Sequence, residues 1–256
     1  MGSKVIIVTG ASRGIGLAVA KWLIKNEHKV VLVSRTEKAL QAIKSEHPGQ
    51  VDFIAADLSD CSTAPKVTEF AVKTFGRLDG IVINHAVIGP IKRLVNSSIE
   101  EWSQVYNANL FSALALVKAS IPLLRETKGR IVFTSSGAAV HGYAGWGAYG
   151  SSKAAMNSLA QHIAVEEPEI ATVAVGPGRV DTQMQVEIRE QGSEGMTKEM
   201  YADFVNVFEN GKLNKPEWPG NVIAKLAVEA KPELNGGYFN WNGAELAEYR
   251  DKESEI

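Results

Sequence analysis

Short runs of β-branched residues alternate along the chain with longer stretches of helical periodicity, and this alternation constrains the fold more than any other feature. Strands are expected at residues 5–8, 29–33, 51–54, 80–83, 130–134, 171–175 and 237–240. Helical patterns fill the intervals at about 14–26, 36–46, 62–75, 99–126, 149–166 and 217–230. The strand runs are almost continuously apolar, as suits strands covered by helices on both faces. Repeated strand–helix–strand order builds a parallel sheet. The expected fold is α/β: one doubly wound, Rossmann-like domain over residues 1–256, with a mostly parallel seven-stranded sheet and a crevice at the carboxyl ends of its strands. Pro122, inside the fourth helical pattern, is expected to bend that helix or end it early.

The remaining bulk properties exclude several classes. The 256 residues carry a net charge of -2, so nothing pulls the chain towards nucleic acid or anionic membrane. Cys61 is the only cysteine, which rules out an internal disulfide and a cysteine-rich metal cluster. The five histidines, His28, His47, His85, His141 and His162, lack zinc-ligand spacing. No apolar run is expected to reach the ~20 residues of a membrane span. Val5 already opens a strand, which leaves no room for a signal peptide, and a soluble cytoplasmic protein is expected.

One region breaks the rhythm. Residues 183–215 have no strand pattern, and long segments of this kind usually serve function. A turn is expected at 191–195, and Met200, Phe204 and Phe208 are expected to share one helical face. The segment reads as a lid.

The first strand runs into Thr9-Gly10-Ala11-Ser12-Arg13-Gly14-Ile15-Gly16. Glycines between a strand and a helix permit a tight turn and let backbone N–H groups approach a pyrophosphate at a helix N-terminus. The alternative is a plain glycine turn. The second strand ends in Arg35, where a carboxylate would serve the ribose hydroxyls of NAD. Arg13 and Arg35 together would clamp a 2′-phosphate, which favours NADPH (NADP) over NAD; alternatively both are solvated, with Glu37 near enough to pair with Arg35. Asp57, past the third strand, is placed to accept from an adenine amino group or to cap the next helix, with Ser59 and Asp60 as rival caps.

Tyr149 and Lys153 stand four residues apart in a helical stretch, so they share a face. A free phenol titrates near pH ~10. A neighbouring cation favours the phenolate and is expected to draw that pKa down, towards useful acid–base work.

These motifs, with Asn84, Asn109, Ser136 and the run Pro177-Gly178-Arg179-Val180-Asp181-Thr182, resemble the short-chain dehydrogenase/reductase family in order and spacing over nearly the whole chain. The resemblance implies that Tyr149 gives a proton to a carbonyl oxygen while a nicotinamide gives hydride to the carbon. Lys153 would lower the phenol's pKa and bind the nicotinamide ribose. Ser136, rather than Ser135, would hold the substrate oxygen, and Asn109 would anchor a water leading to Lys153. Gly10, Ser12, Arg13, Gly14, Ile15, Gly16, Arg35, Asp57, Leu58, Asn84, Tyr149, Lys153, Pro177, Gly178, Val180 and Thr182 would form the cofactor site. Val180 and Thr182 would meet the carboxamide. A homodimer or homotetramer through the helices at 99–126 and 149–166 is implied as well.

The chain departs from the family at one place. The pattern Asn-Asn-Ala-Gly is replaced by Ile83-Asn84-His85-Ala86, so a methyl at Ala86 narrows the passage beside the cofactor ribose and any positive φ there is lost. His85 either touches cofactor or substrate, or is a packed or solvated histidine. Within the family the likeness is greatest to fungal and bacterial benzil reductases, themselves similar to sepiapterin reductase. That implies an aryl ketone or vicinal diketone as small-molecule carbonyl substrate, flanked by Val140, His141, Tyr143, Trp146, Met184 and Phe204. The other readings are a non-catalytic NADP-binding regulator, an alcohol dehydrogenase for an unrelated small substrate, and a sugar-nucleotide epimerase or dehydratase, against which the short chain counts.

Overall fold

The computed structural model describes residues 2–252. Seven strands form one sheet: β1 (Val5–Thr9), β2 (Lys29–Ser34), β3 (Val51–Ala55), β4 (Gly80–Ile83), β5 (Arg130–Thr134), β6 (Ala171–Gly176) and β7 (Tyr238–Asn240). Their order is β3-β2-β1-β4-β5-β6-β7, and every neighbouring pair is parallel. The central strands β1, β4 and β6 are buried throughout. Their Val and Ile side chains point alternately into two apolar layers, each fully buried one contributing roughly 1.5–3 kcal/mol.

The α-helices among the described residues are α1 (Gly14–Lys25), α2 (Glu37–Glu46), α3 (Thr63–Phe75), α4 (Ile99–Tyr106), α5 (Ser112–Thr127), α6 (Gly147–Glu166), α7 (Gln183–Gly195), α8 (Lys198–Glu209) and α9 (Glu217–Glu229). One layer joins Val19 and Leu23 of α1 and Leu40 of α2 to Val222 and Leu226 of α9. The other joins Val67 of α3, Leu116 and Leu124 of α5 and Met156 of α6. Between β1 and β4 the order reverses direction, and a ligand crevice opens at such a point.

Three sequence expectations need correction. The helix expected at 99–126 is interrupted by a π-helical turn, Asn107–Phe111, between α4 and α5. Pro122 does not end α5, which continues to Thr127. The combined run Ile99–Thr127 is also long and apolar enough by composition to cross a membrane. It serves instead as a core helix, with Ala113, Leu116, Val117 and Leu124 packed beneath the sheet. The third correction is the turn expected at 191–195, which is the last part of α7. Gly192 and Gly195 are there for close approach: a Cβ at Gly195 would collide with the Ile91 carbonyl oxygen, and one at Gly192 would press on Met196.

Candidate active site

A cleft of about 710 Å³ lies along the carboxyl ends of the strands. Its walls come from the segments that follow β1 to β6, so the topology alone gathers residues far apart in sequence. At one end, the loop after β1 turns at Gly10, whose φ of +63 suits glycine. A Cβ at Gly16 would collide with the Gly10 carbonyl, so the loop can close onto α1 only with glycine there. Asn84 holds the loop from the neighbouring strand: its Nδ2 donates to Thr9 O at 3.2 Å and Gly10 O at 3.4 Å.

Arg13 and Arg35 are exposed and line this end of the cleft with Ser12, Ser34 and Thr36. Neither arginine belongs to an ion pair among the described residues, and Glu37 does not engage Arg35. Asp57 lines the cleft too. Its Oδ1 accepts from Ser59 N at 2.9 Å and Ser59 Oγ at 2.8 Å, which holds its carboxyl below the usual range. Asp57 caps no helix, since Ser62 stands at the start of α3. Leu58 is largely buried and lines the cleft as well.

The other end of the cleft holds Tyr149 and Lys153, both buried on α6. The Lys153 ammonium lies 5.9 Å from the centre of the Tyr149 ring and donates to Thr134 O at 2.7 Å. Burial pushes the lysine down to about 7. Burial also pushes the Tyr149 phenol up to about 12, against a hydrogen bond from Ser136 that favours the phenolate. This reverses the direction expected of the pair. Burial of the phenol disfavours its charged form by more than the Ser136 hydrogen bond favours it. Ser136 Oγ accepts from Ala138 N at 3.1 Å, whereas Ser135 Oγ is committed to Asn157 at 2.6 Å. The chemistry available is proton transfer to an oxygen placed between two hydroxyl groups.

Asn109 sits in the π-helical turn and is wholly buried. Its Oδ1 accepts from Val87 N at 2.8 Å, and its Nδ2 donates to Val87 O at 2.9 Å and Ser152 Oγ at 3.1 Å. The side chain therefore braces the loop after β4 and does not line the cleft. Ala86 lines it, and its φ is not positive, so the departure from glycine forces no unusual backbone. His85 also lines the cleft, and both of its ring nitrogens are hydrogen-bonded within the protein.

Pro177 and Thr182 line the cleft; Gly178 turns with φ +72 and Val180 is buried. This loop is fastened by residue 214: Val180 bridges Asn214, Asn214 N donates to Arg179 O at 2.8 Å and Asp181 N to Asn214 O at 2.9 Å. Of the residues expected around the substrate, Met184 lines the cleft and Val140 and His141 are exposed. Tyr143, Trp146 and Phe204 pack on one another instead, with ring centres 4.9 to 6.1 Å apart, and so seat α8 against the start of α6. Phe208 is exposed with the Arg189 guanidinium over its ring. Sequence reasoning missed Val87, Pro90 and Val105 on the apolar wall, and Glu101, Gln104 and Glu187 at the polar rim. A signal for Glu101 was present: Ser98 and Glu101 form a capping box at the start of α4.

A family model described as short chain dehydrogenase matches residues 4–193. The chain belongs to that family. A short-chain dehydrogenase binds a nicotinamide cofactor on this fold, and the chain is an oxidoreductase acting on a small molecule. It is 40% identical to a benzil reductase ((S)-benzoin forming) of Saccharomyces cerevisiae over 95% of this chain and 97% of that one. A benzil reductase ((S)-benzoin forming) of Bacillus cereus is 32% identical over 87% of this chain and 93% of its own. The crystal structure of the short chain dehydrogenases/reductase YIR035C from Saccharomyces cerevisiae superposes with a TM-score of 0.95 at 37% identity, covering 97% of this chain and 100% of that one.

Proposed function

We propose that this short-chain dehydrogenase is an NADPH-dependent carbonyl reductase for an apolar aryl ketone or vicinal diketone of the benzil type. The observation that carries the reading is the placing of Tyr149 and Lys153, with Ser136 hydrogen-bonded to the phenol, at one end of a cleft whose other end offers a glycine loop and two guanidiniums in no ion pair among the described residues. Those residues fit the cofactor: the start of α1 suits a pyrophosphate, and Arg13 with Arg35 suits a 2′-phosphate. Bound there, NADPH supplies hydride for the carbonyl carbon.

The chain's own groups handle the oxygen. Tyr149 enters the reaction protonated, since burial holds its phenol at about 12, and gives that proton to the oxygen as negative charge grows. Ser136 supplies a second hydroxyl donor to the same oxygen. Lys153, whose pKa burial lowers to about 7, balances the phenolate's charge while it carries its proton. The reaction consumes one ketone, one NADPH and one proton, and yields the alcohol and NADP.

Val87, Pro90, Val105 and Met184 give the cleft an apolar wall suited to an aryl ring. The similarity to two benzil reductases supports the same substrate class. Residues 183–215 act as the lid, seated through Phe204. Assembly as a homodimer or homotetramer in the cytoplasm completes the reading, supported by exposed Ile99 at the start of α4 and exposed Phe111 at the end of the π-helical turn.

The test is consumption of NADPH and NADH, side by side, with benzil, 1-phenyl-1,2-propanedione and a simple aryl ketone. Turnover with NADPH, faint with NADH and reduced at least ~100-fold in Tyr149→Phe, is expected. Tight NADPH binding without turnover of any of the three ketones would overturn the substrate assignment.

A further inference from the structure

His85, one of the residues at which the chain departs from its family's pattern, lines the cleft and lies between two buried hydroxyls, one on β1 and one at the start of α5. Its Nδ1 is 2.7 Å from Thr9 Oγ1 and its Nε2 2.8 Å from Ser112 Oγ. The direction of each bond can be worked out. The Ser112 hydroxyl donates its hydrogen to Ala108 O at 2.8 Å, so it offers His85 only lone pairs and Nε2 must carry the ring proton. The oxygen of Thr9 accepts from Asn84 N at 2.9 Å and His85 N at 3.3 Å. Its hydrogen then turns to Nδ1, which is nearer than the Val82 carbonyl at 3.1 Å. The bonds run in one direction from the loop after β4 to the π-helical turn, an arrangement in which each strengthens the next.

Both ends of this chain meet the site. Thr9 precedes Gly10, whose Cα would carry any Cβ to 3.1 Å from His85 Cα, so loop and histidine are already in contact. At the other end, Ser112 N bonds to Asn107 O, five residues back, which deprives Ala108 O of its α-helical donor. The Ser112 hydroxyl replaces that donor and stabilises the widened turn from which Asn109 reaches Val87 and Ser152. Burial pushes the imidazole down to about 3, consistent with a ring that stays neutral.

We propose that His85 is a positioning residue: as its neutral Nε2–H tautomer it braces the glycine loop against the turn carrying Asn109, and thereby fixes the floor of the cofactor cleft. The inference rests on the cofactor reading above and adds a residue to it.

Two measurements test it. Nitrogen-15 spectra of histidine-labelled wild-type protein should show His85 as the Nε2–H tautomer, unchanged as the pH is lowered through the ordinary histidine range. An Nδ1–H tautomer, or titration in that range, overturns the brace whatever the cofactor. NADPH titration of His85→Asn, Ser112→Ala and the double variant comes second. Each single change should raise the NADPH Kd roughly tenfold with little change in kcat, as loss of a buried hydrogen bond predicts. The double variant should bind no more weakly than either single one, because both break the same chain. Variants that only melt earlier, with Kd unchanged, overturn the positioning role, as do additive losses. A wild-type protein that binds no NADPH overturns the cofactor reading itself, and the coupling to it, while the tautomer remains an independent result.

Discussion

The Lys153 ammonium donates to the backbone carbonyl of Thr134 at 2.7 Å, which fastens the charge to the end of β5 and beneath the Tyr149 ring. A lysine so enclosed holds its proton weakly at neutral pH. Reduction should therefore be fastest on the acid side and decline as the pH rises through about 7, with a slope of about one in log kcat. The Lys153→Met variant should lose that limb as well as rate. A wild-type profile flat into alkaline solution would refute the assignment.

Arg13 and Arg35 line the cleft and belong to no ion pair among the described residues. Each charge-assisted contact to a phosphate is worth about 1.5–3 kcal/mol. Replacing either arginine by alanine should weaken NADPH binding roughly 10- to 100-fold and leave NADH binding within a factor of two or so. Equal losses for the two cofactors would point to a general fault in the loop.

Gly195 touches the Ile91 carbonyl, so Gly195→Ala must push α7 outward. Overpacking of this kind costs about 1–3 kcal/mol. A lower melting temperature and a higher KM for the ketone are expected, with NADPH affinity retained. Unchanged KM would separate this segment from substrate binding.

Acid should destabilise the fold through two histidines. Both His28 and His85 have pKa values lowered by burial, His85 to about 3. The unfolded chain, with histidines near ~6.5, takes up protons that the folded one refuses. The stabilisation is thus complete above that value and is lost as the pH falls towards about 3. From ~6.5 to ~5, His85 alone accounts for about 2 kcal/mol, measurable by urea unfolding. His85→Phe should flatten the dependence.

Much of this was legible in the sequence, for identifiable reasons. Buried parallel strands demand apolar β-branched runs, so β1 to β7 stand within a residue or two of where the pattern puts them. The glycine loop and the Tyr149–Lys153 pair were legible because both depend on local spacing. The π-helical turn was not, since Asn107–Phe111 holds no proline or glycine to mark it and the His85 contact to Ser112 beside it is tertiary. Gly192 and Gly195 misled for the same reason: glycine marks a turn or a close contact, and only the neighbour decides which. The aromatic residues expected around the substrate were legible as apolar, but not as packing on one another. The direction of the Tyr149 shift also lay outside local reasoning, because desolvation depends on everything that surrounds the ring.

Asn214 carries one further consequence. Its pairing with Arg179 and Asp181 brings the end of the 183–215 segment back to the loop where the segment begins. The stretch leaves and rejoins the sheet scaffold at a single clasp, so its interior can change in length and content while both anchor points stay fixed. That makes it a natural cassette: exchanging residues 183–213 between relatives should transplant substrate preference without disturbing the hydride-transfer end of the molecule.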